Sequence, residues 1–229
     1  MAELCESQGD VEDLESWLDG LYGAQTADWR NLTALSSKGA LAEQLPPTVS
    51  ESELIYGEFR LRDFLRAIDD ACALRLGRLS APARAIVDVG SGAGRLVLGL
   101  ARQRPEYKVV GLEIQEPLHD LATAALAASG LDNARFVAGN LHDGPTARAA
   151  LGGADVVFVY STAMDAEGDD VASRLSGALA PVLLAGAVVV TTDRRLCEVD
   201  FELAESEHGL PGSISGATVD LYFWRRRSN

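Results

Sequence analysis

Five short apolar runs alternate with helical patterns between residues 85 and 192, and this alternation constrains the fold more than any other feature. The runs cover residues 85–89, 109–112, 136–138, 156–160 and 187–191. Helical patterns cover about 94–103, 116–129, 145–151 and 169–183. Continuous apolar strands that alternate with helices form a mostly parallel sheet with helices on both faces. The sequence therefore predicts a doubly wound α/β fold.

The segments on either side of this alternation differ from it. Residues 199–205 and 217–224 alternate between apolar and polar positions around the turn-rich stretch 209–216, which predicts a closing hairpin. Before the alternation, a helix is expected to end near Leu76, and Pro46-Pro47 interrupts the connecting segment 36–58. We therefore expect a helical N-terminal extension with its linker over residues 1–52 and one domain over 53–229.

The first 20 residues carry seven acids and no base. Within them, Val11, Leu14, Leu18 and Leu21 fit one face of a helix, with Trp17 beside them. This pattern favours a short helix that packs on the main domain. A partner-binding acidic arm is the alternative.

The charge balance bears on partners. Acidic residues outnumber basic ones 34 to 20, for a formal net charge of −14, which argues against strong nucleic-acid binding through phosphates and against anionic membranes. Three scattered cysteines, at positions 5, 72 and 197, favour a reducing compartment. Since no targeting signal is visible, we expect a cytoplasmic or nuclear protein, or an organellar one if a transit peptide has been removed.

A glycine-rich segment follows the first apolar run and opens the next helix. It contains Gly90, Ser91, Gly92 and Gly94, and glycines at such a turn let the backbone approach a ligand closely. The order is G-x-G-x-G, whereas a dinucleotide fingerprint is G-x-G-x-x-G and would need glycine where Arg95 stands. The spacing therefore opposes a nicotinamide enzyme, which we rank as a distant alternative.

Polar residues stand at or just after the ends of three of the runs. Asp88 would repel a pyrophosphate but attract the ammonium of an amino-acid group. Glu113 ends the second run, where an acid accepts hydrogen bonds from a ribose diol. After the third run, Asn140 can bond the edge of an adenine and Leu141 can cover its ring. Together these residues predict a site for S-adenosylmethionine, with another ligand of a nucleotide-binding fold as the alternative.

The motif from Asp88 to Gly94, Glu113 and the closing hairpin resemble the seven-stranded class I methyltransferases. Within that class, residues 54–58, Leu-Ile-Tyr-Gly-Glu, resemble the Tyr-Gly-Glu loop of the disruptor-of-telomeric-silencing-type histone lysine methyltransferases. Residues 155–164 resemble the fourth strand of that family. Plant and algal relatives with unassigned substrates share the same stretches. The resemblance implies that Tyr56, Gly57 and Glu58 close over the methionine end of the cofactor.

The resemblance also implies an acceptor and its catalytic residues. Tyr160 and Ser161 stand where the family has two asparagines, and we expect them to orient the acceptor. The acceptor expected from the family is a protein lysine amine, and a basic protein substrate would suit the negative charge of the chain. A small-molecule methyltransferase and a cofactor-binding interaction module without turnover are the alternatives. No metal is expected, because His119, His142 and His208 are scattered.

Overall fold

A seven-stranded sheet forms the centre of the protein. The computed structural model describes residues 8–42, 54–75, 84–166, 168–212 and 217–228. The strands are β1 (Ala85–Val89), β2 (Lys108–Glu113), β3 (Ala134–Ala138), β4 (Val156–Val159), β5 (Val188–Thr192), β6 (Phe201–Pro211) and β7 (Thr218–Arg226). Their order in the sheet is β3-β2-β1-β4-β5-β7-β6, in which β1 to β5 run parallel and β7 pairs antiparallel with β5 and β6. The predicted doubly wound, mostly parallel seven-stranded α/β fold is confirmed.

Seven α-helices surround the sheet or pack on its helices in the described ranges. They are α1 (Gln8–Tyr22), α2 (Ala27–Ala42), α3 (Leu61–Arg75), α4 (Arg95–Gln103), α5 (Glu116–Ser129), α6 (Gly144–Leu151) and α7 (Ser173–Leu179). The apolar face of α1 is buried at Val11, Leu14 and Leu18, and α1 contacts α3, α4 and α5. The N-terminal helix therefore packs on the sheet domain through the face that its sequence predicts.

The core lies on both faces of the sheet because successive side chains of each strand point to opposite sides. Val156 and Phe158 of β4 pack with residues of α1, α3 and α4. Val157 and Val159 of the same strand pack with residues of α6 and α7. Each fully buried side chain of this size stabilises the fold by about 1.5–3 kcal/mol. The two layers fix the strands, and hence the positions of the strand ends.

Three predicted segments differ from the structure. The helix expected over 169–183 is a 3-10 turn at Gly168–Asp170 followed by α7, because Asp170 has a left-handed φ of 59° and Pro181 cannot continue a helix. The segment 36–42, expected to be linker, belongs to α2. Strand β6 runs to Pro211, three residues into the stretch expected to be a turn. Pro46-Pro47 and the helical start expected at 50–53 lie outside the described residues.

A membrane-crossing helix would need a long apolar stretch. No helix in the described ranges meets that requirement.

Candidate cofactor and acceptor site

The glycine-rich loop connects β1 to α4 at the carboxyl edge of the sheet. Gly90, Gly92 and Gly94 all have positive φ, of 77°, 55° and 87°, which is a conformation that glycine adopts without strain. The amides of Gly90 and Ser91 donate to the carbonyl of Leu112, at 2.8 and 3.0 Å. The loop is therefore held against the end of β2, and its backbone is presented to the space above the strands.

Asp88 is buried at the end of β1, with 3% of its surface exposed, and lines a cavity of about 610 Å³. Burial, together with the nearby charge of Glu113, raises the pKa of Asp88 to about 7. A cationic ligand group would stabilise the ionised form of this carboxyl. The site at Asp88 therefore suits the ammonium of an amino-acid group.

Glu113 ends β2, and its carboxylate is held by two backbone amides. Oε2 accepts from the amide of Gly92 at 2.7 Å, and Oε1 accepts from the amide of Gln115 at 2.8 Å. Burial raises the pKa of Glu113, and these hydrogen bonds oppose that rise. Each carboxylate oxygen keeps lone pairs for further donors, so the fixed carboxylate can accept from a ribose diol.

A smaller cavity of about 60 Å³ lies beyond the end of β3. Gly139, Asn140, Leu141 and Met164 line it. The side-chain oxygen of Asn140 accepts from the amide of His142 at 2.8 Å, which leaves its NH₂ group to donate elsewhere. A third cavity, lined by Glu113 and also by Met164, lies between this one and the cavity at Asp88.

These three cavities follow the carboxyl ends of β1, β2 and β3, where ligands of doubly wound sheets bind. Their polar groups suit an ammonium, a ribose and a purine in that order. The residues present thus fit S-adenosylmethionine.

The segment 54–60 borders the large cavity beside Asp88. Tyr56, Gly57 and Glu58 line the large cavity together with Asp88. A Cβ atom on Gly92 would lie 2.4 Å from Cε2 of Tyr56, so the tyrosine ring rests directly on the glycine loop. The Tyr56 hydroxyl donates to Oε1 of Glu58 at 2.6 Å.

Arg30, on α2, pairs with Glu58 through two hydrogen bonds. Its Nε and Nη2 donate to the two carboxylate oxygens at 2.6 and 3.0 Å. Burial alone would raise the pKa of Glu58, but the hydrogen bonds from Arg30 and Tyr56 outweigh it and the pKa is lowered. No sequence signal points to Arg30, because it stands 28 residues before its partner in a segment that resembles no motif.

The two acceptor candidates after β4 occupy different environments. Tyr160 lines the large cavity, and its ring centroid lies 5.4 Å from that of Phe59. Ser161 is fully buried, and its hydroxyl donates to the carbonyl of Thr192 and accepts from the Thr192 amide. Ser161 therefore joins β4 to β5, and the structure does not bring it to the cavity. Its predicted catalytic role is not supported by this position.

Two further residues of the loop after β4 reach the site and were not expected from the sequence. Thr162 lines the large cavity and donates to Asp193 at 2.6 Å, and Met164 lines both smaller cavities. Arg194 holds this loop by donating to the carbonyls of Thr162 and Met164, at 2.9 and 2.8 Å. Arg194 lies close to Thr162 and Met164 because β4 pairs with β5, and no local sequence pattern predicts that pairing.

Residues 86–182 match the profile of a family described as "Methyltransferase domain". Among curated proteins, the chain is similar to a tRNA (guanine-N(7)-)-methyltransferase of Synechococcus sp. (strain JA-3-3Ab), at 39% identity over 56 residues, 24% of each chain. It is also similar to a protein of the same description from Nocardioides sp. (strain ATCC BAA-499 / JS614), at 28% identity over 49% of this chain and 45% of that protein. The chain thus spans less than half of the length of either relative.

Among solved structures, the fold resembles an RNA methyltransferase from Salinibacter ruber in complex with S-adenosyl-L-homocysteine. The TM-score is 0.53 at 20% identity, over 76% of this chain and 95% of that one. The sheet, the profile match and this neighbour place the chain in the class I methyltransferase fold. The family match and the solved neighbours support the expected cofactor, S-adenosylmethionine.

The comparisons overturn the expected partners. We expected a protein substrate and no strong nucleic-acid binding, whereas the relatives and the neighbour are described as tRNA and RNA methyltransferases. The expectation was wrong because it relied on total charge and on short resemblances around Tyr56 and Tyr160. Lysine methylation, which depends on the same resemblances, finds no support in these comparisons.

Proposed function

We propose that the protein transfers a methyl group from S-adenosylmethionine to RNA, with a guanine ring nitrogen as the acceptor. The observation that carries this proposal is the shape of the large cavity. It begins at Asp88 and Gly90, where the methionine end of the cofactor would lie, and continues past two tyrosine rings to α1 and α2. The acceptor would therefore meet the methyl group between Tyr56 and Tyr160.

A flipped-out base suits this space. Enzymes that modify a base bring it out of its stack and hold it between aromatic or apolar side chains. The rings of Tyr56 and Tyr160 can supply such contacts, and base stacking on an aromatic ring contributes about 1–3 kcal/mol. Asn31, which also lines the cavity, offers an amide for the edge of the base.

The charges at the cavity also suit transfer to a ring nitrogen. Bound S-adenosylmethionine supplies an already activated methyl group. Guanine N7 carries a free lone pair, so its attack needs no base, and Glu58 is already engaged by Arg30 and Tyr56. Methylation leaves a positive charge on the base, and carboxylates near the cavity stabilise such a charge. The main contribution of the protein is then alignment of the two reactants.

The net charge of −14 favours a second candidate, a small-molecule acceptor. Half of this charge lies in the first 20 residues, and the remainder of the chain is acidic as well.

Transfer of labelled methyl from S-adenosylmethionine tests the proposal. Purified tRNA, total RNA and a small-molecule extract serve as acceptors, and Asp88→Ala is the blank. Label in RNA that the variant loses, and that nucleoside analysis places on guanine, supports the proposal. Label in small molecules alone favours the second candidate. Cofactor binding without any label would indicate an interaction module and contradict both.

A further inference from the structure

The segment that covers the cofactor's methionine end has little backbone support of its own. Residues 55–60 form neither helix nor strand. The segment is anchored at one end by Leu54, whose carbonyl accepts from the Gln115 side chain at 3.1 Å. At the other end, Phe59 is buried against Phe158, with ring centroids 5.3 Å apart. Between these anchors, side chains must hold Tyr56, Gly57 and Glu58 in place.

The Arg30 guanidinium supplies that support from α2. Its side chain is 4% exposed, and its Nη1 donates to the carbonyl of Gln25 at 2.6 Å while Nε and Nη2 bind Glu58. A planar guanidinium matches a carboxylate in this two-point geometry, which a lysine ammonium cannot reproduce. The pair therefore fixes the orientation of Glu58 as well as its position.

Glu58 is connected to the glycine loop through the side chain of Tyr56. The Tyr56 hydroxyl donates to the same Oε1 that Arg30 binds, and the Tyr56 ring lies on Gly92. The N-terminal helices also reach the loop directly, since the Tyr22 hydroxyl donates to the carbonyl of Ala93 at 2.6 Å. The Arg30 guanidinium carbon lies 5.0 Å from the centroid of the Tyr22 ring.

We propose that Arg30 is a positioning residue that holds the segment 56–58 closed over the methionine end of S-adenosylmethionine, acting through Glu58 and Tyr56. The α1–α2 pair is then part of the cofactor site, although it precedes the family match at 86–182. This inference rests on the cofactor site of the proposed function. It predicts that loss of Arg30 chiefly speeds cofactor release, since an unsupported cover opens more often.

Cofactor binding by titration calorimetry and cofactor release by stopped flow test the inference without any acceptor. We expect Arg30→Ala to raise the dissociation constant about ten-fold or more, mostly through faster release. Arg30→Lys is expected to recover part of this loss, because it keeps the charge without the two-point geometry. Glu58→Gln, which changes the partner instead, is expected to behave like Arg30→Ala.

Arg75→Ala is the matched control. Arg75 is similarly buried and binds Asp155 at 2.7 Å, just before β4 and at the opposite edge of the sheet. We expect this variant to lose thermal stability and to keep wild-type release. If Arg30→Ala does not fold, cofactor release from Glu58→Gln is measured in its place.

Wild-type release in folded Arg30→Ala or Glu58→Gln would overturn the inference, as would equal acceleration in Arg75→Ala. Absence of cofactor binding in the wild type would instead overturn the proposed function, and this inference with it.

Discussion

The cofactor side and the acceptor side of the site are built in different ways. On the cofactor side, Asp88, Glu113 and Asn140 each lie at or just beyond the carboxyl end of a strand in one parallel sheet, so the topology alone brings them together. The cover and the acceptor side use Arg30, Tyr56, Tyr160 and Arg194, which come from a helix, an irregular segment and two strand ends far apart in sequence. The first kind of site is visible in local sequence, whereas the second depends on tertiary packing.

The largest effect is expected from Gly92→Ala, because Gly92 is where the two sides meet. The substitution would strain a residue with φ of 55° and place a methyl group 2.4 Å from the Tyr56 ring. We expect the dissociation constant for S-adenosylmethionine to rise about 100-fold, or about 2.7 kcal/mol, as measured by calorimetry. Gly130→Ala controls for the strain, because Gly130 has φ of 69° and open space around it. If the two variants bind S-adenosylmethionine with equal affinity, the contact between Gly92 and the Tyr56 ring does not matter for cofactor binding.

A smaller loss is expected from Asp88→Asn, which acts on the cofactor side alone. Calorimetry at pH 8 should show binding weakened about 10-fold, since the ammonium of the cofactor loses an ionised partner. In the wild type, affinity should rise between pH 6 and pH 8 as the carboxyl, with its pKa of about 7, loses its proton. The variant should show a flatter profile. If the affinity of the variant depends on pH as steeply as that of the wild type, a group other than Asp88 is responsible for the pH dependence.

The same substitution should stabilise the cofactor-free protein at pH 8. The pKa of Asp88 is about 7 in the folded state and about 3.9 in an unfolded chain. Between these values the folded state binds more protons, so stability falls as pH rises through this window. Asparagine does not ionise, so the variant avoids the loss of stability that the buried Asp88 carboxylate causes at high pH. The melting temperature of Asp88→Asn should therefore exceed that of the wild type at pH 8, and the gap should narrow towards pH 4.

The smallest effect on activity is expected from Ser161→Ala, although Ser161 adjoins Tyr160. Its hydroxyl bonds both backbone groups of Thr192, so its loss should cost about 1–3 kcal/mol of unfolding free energy. Cofactor affinity and turnover, measured well below the melting temperature, should stay at wild-type values. Thr162→Val is the matched variant, because Thr162 lines the cavity. A turnover defect in Ser161→Ala that exceeds that of Thr162→Val would restore Ser161 as a catalytic candidate.

The sequence predicts the sheet and the position of polar residues along its carboxyl edge, because both depend on short periods and strand ends. Gly90, Glu113 and Asn140 lie at that edge in the structure, as the sequence predicts without knowledge of tertiary contacts. Ser161 shows the limit of such reasoning, because neighbouring residues of an extended chain point in opposite directions and sequence order does not say which one faces the cavity. Arg30 could not be predicted, since its role requires α2 to pack beside α5 and the segment 54–60.

We expect one ligand to lie across three strand ends, under a cover held by the N-terminal helices. A crystal structure with S-adenosylhomocysteine would show this arrangement. We predict that the ligand's ammonium lies at Asp88, its ribose at Glu113 and its adenine between Leu141 and the loop after β4, with Tyr56 closed over it. A ligand bound elsewhere, or in the reverse orientation with its adenine beneath Tyr56, would contradict the account.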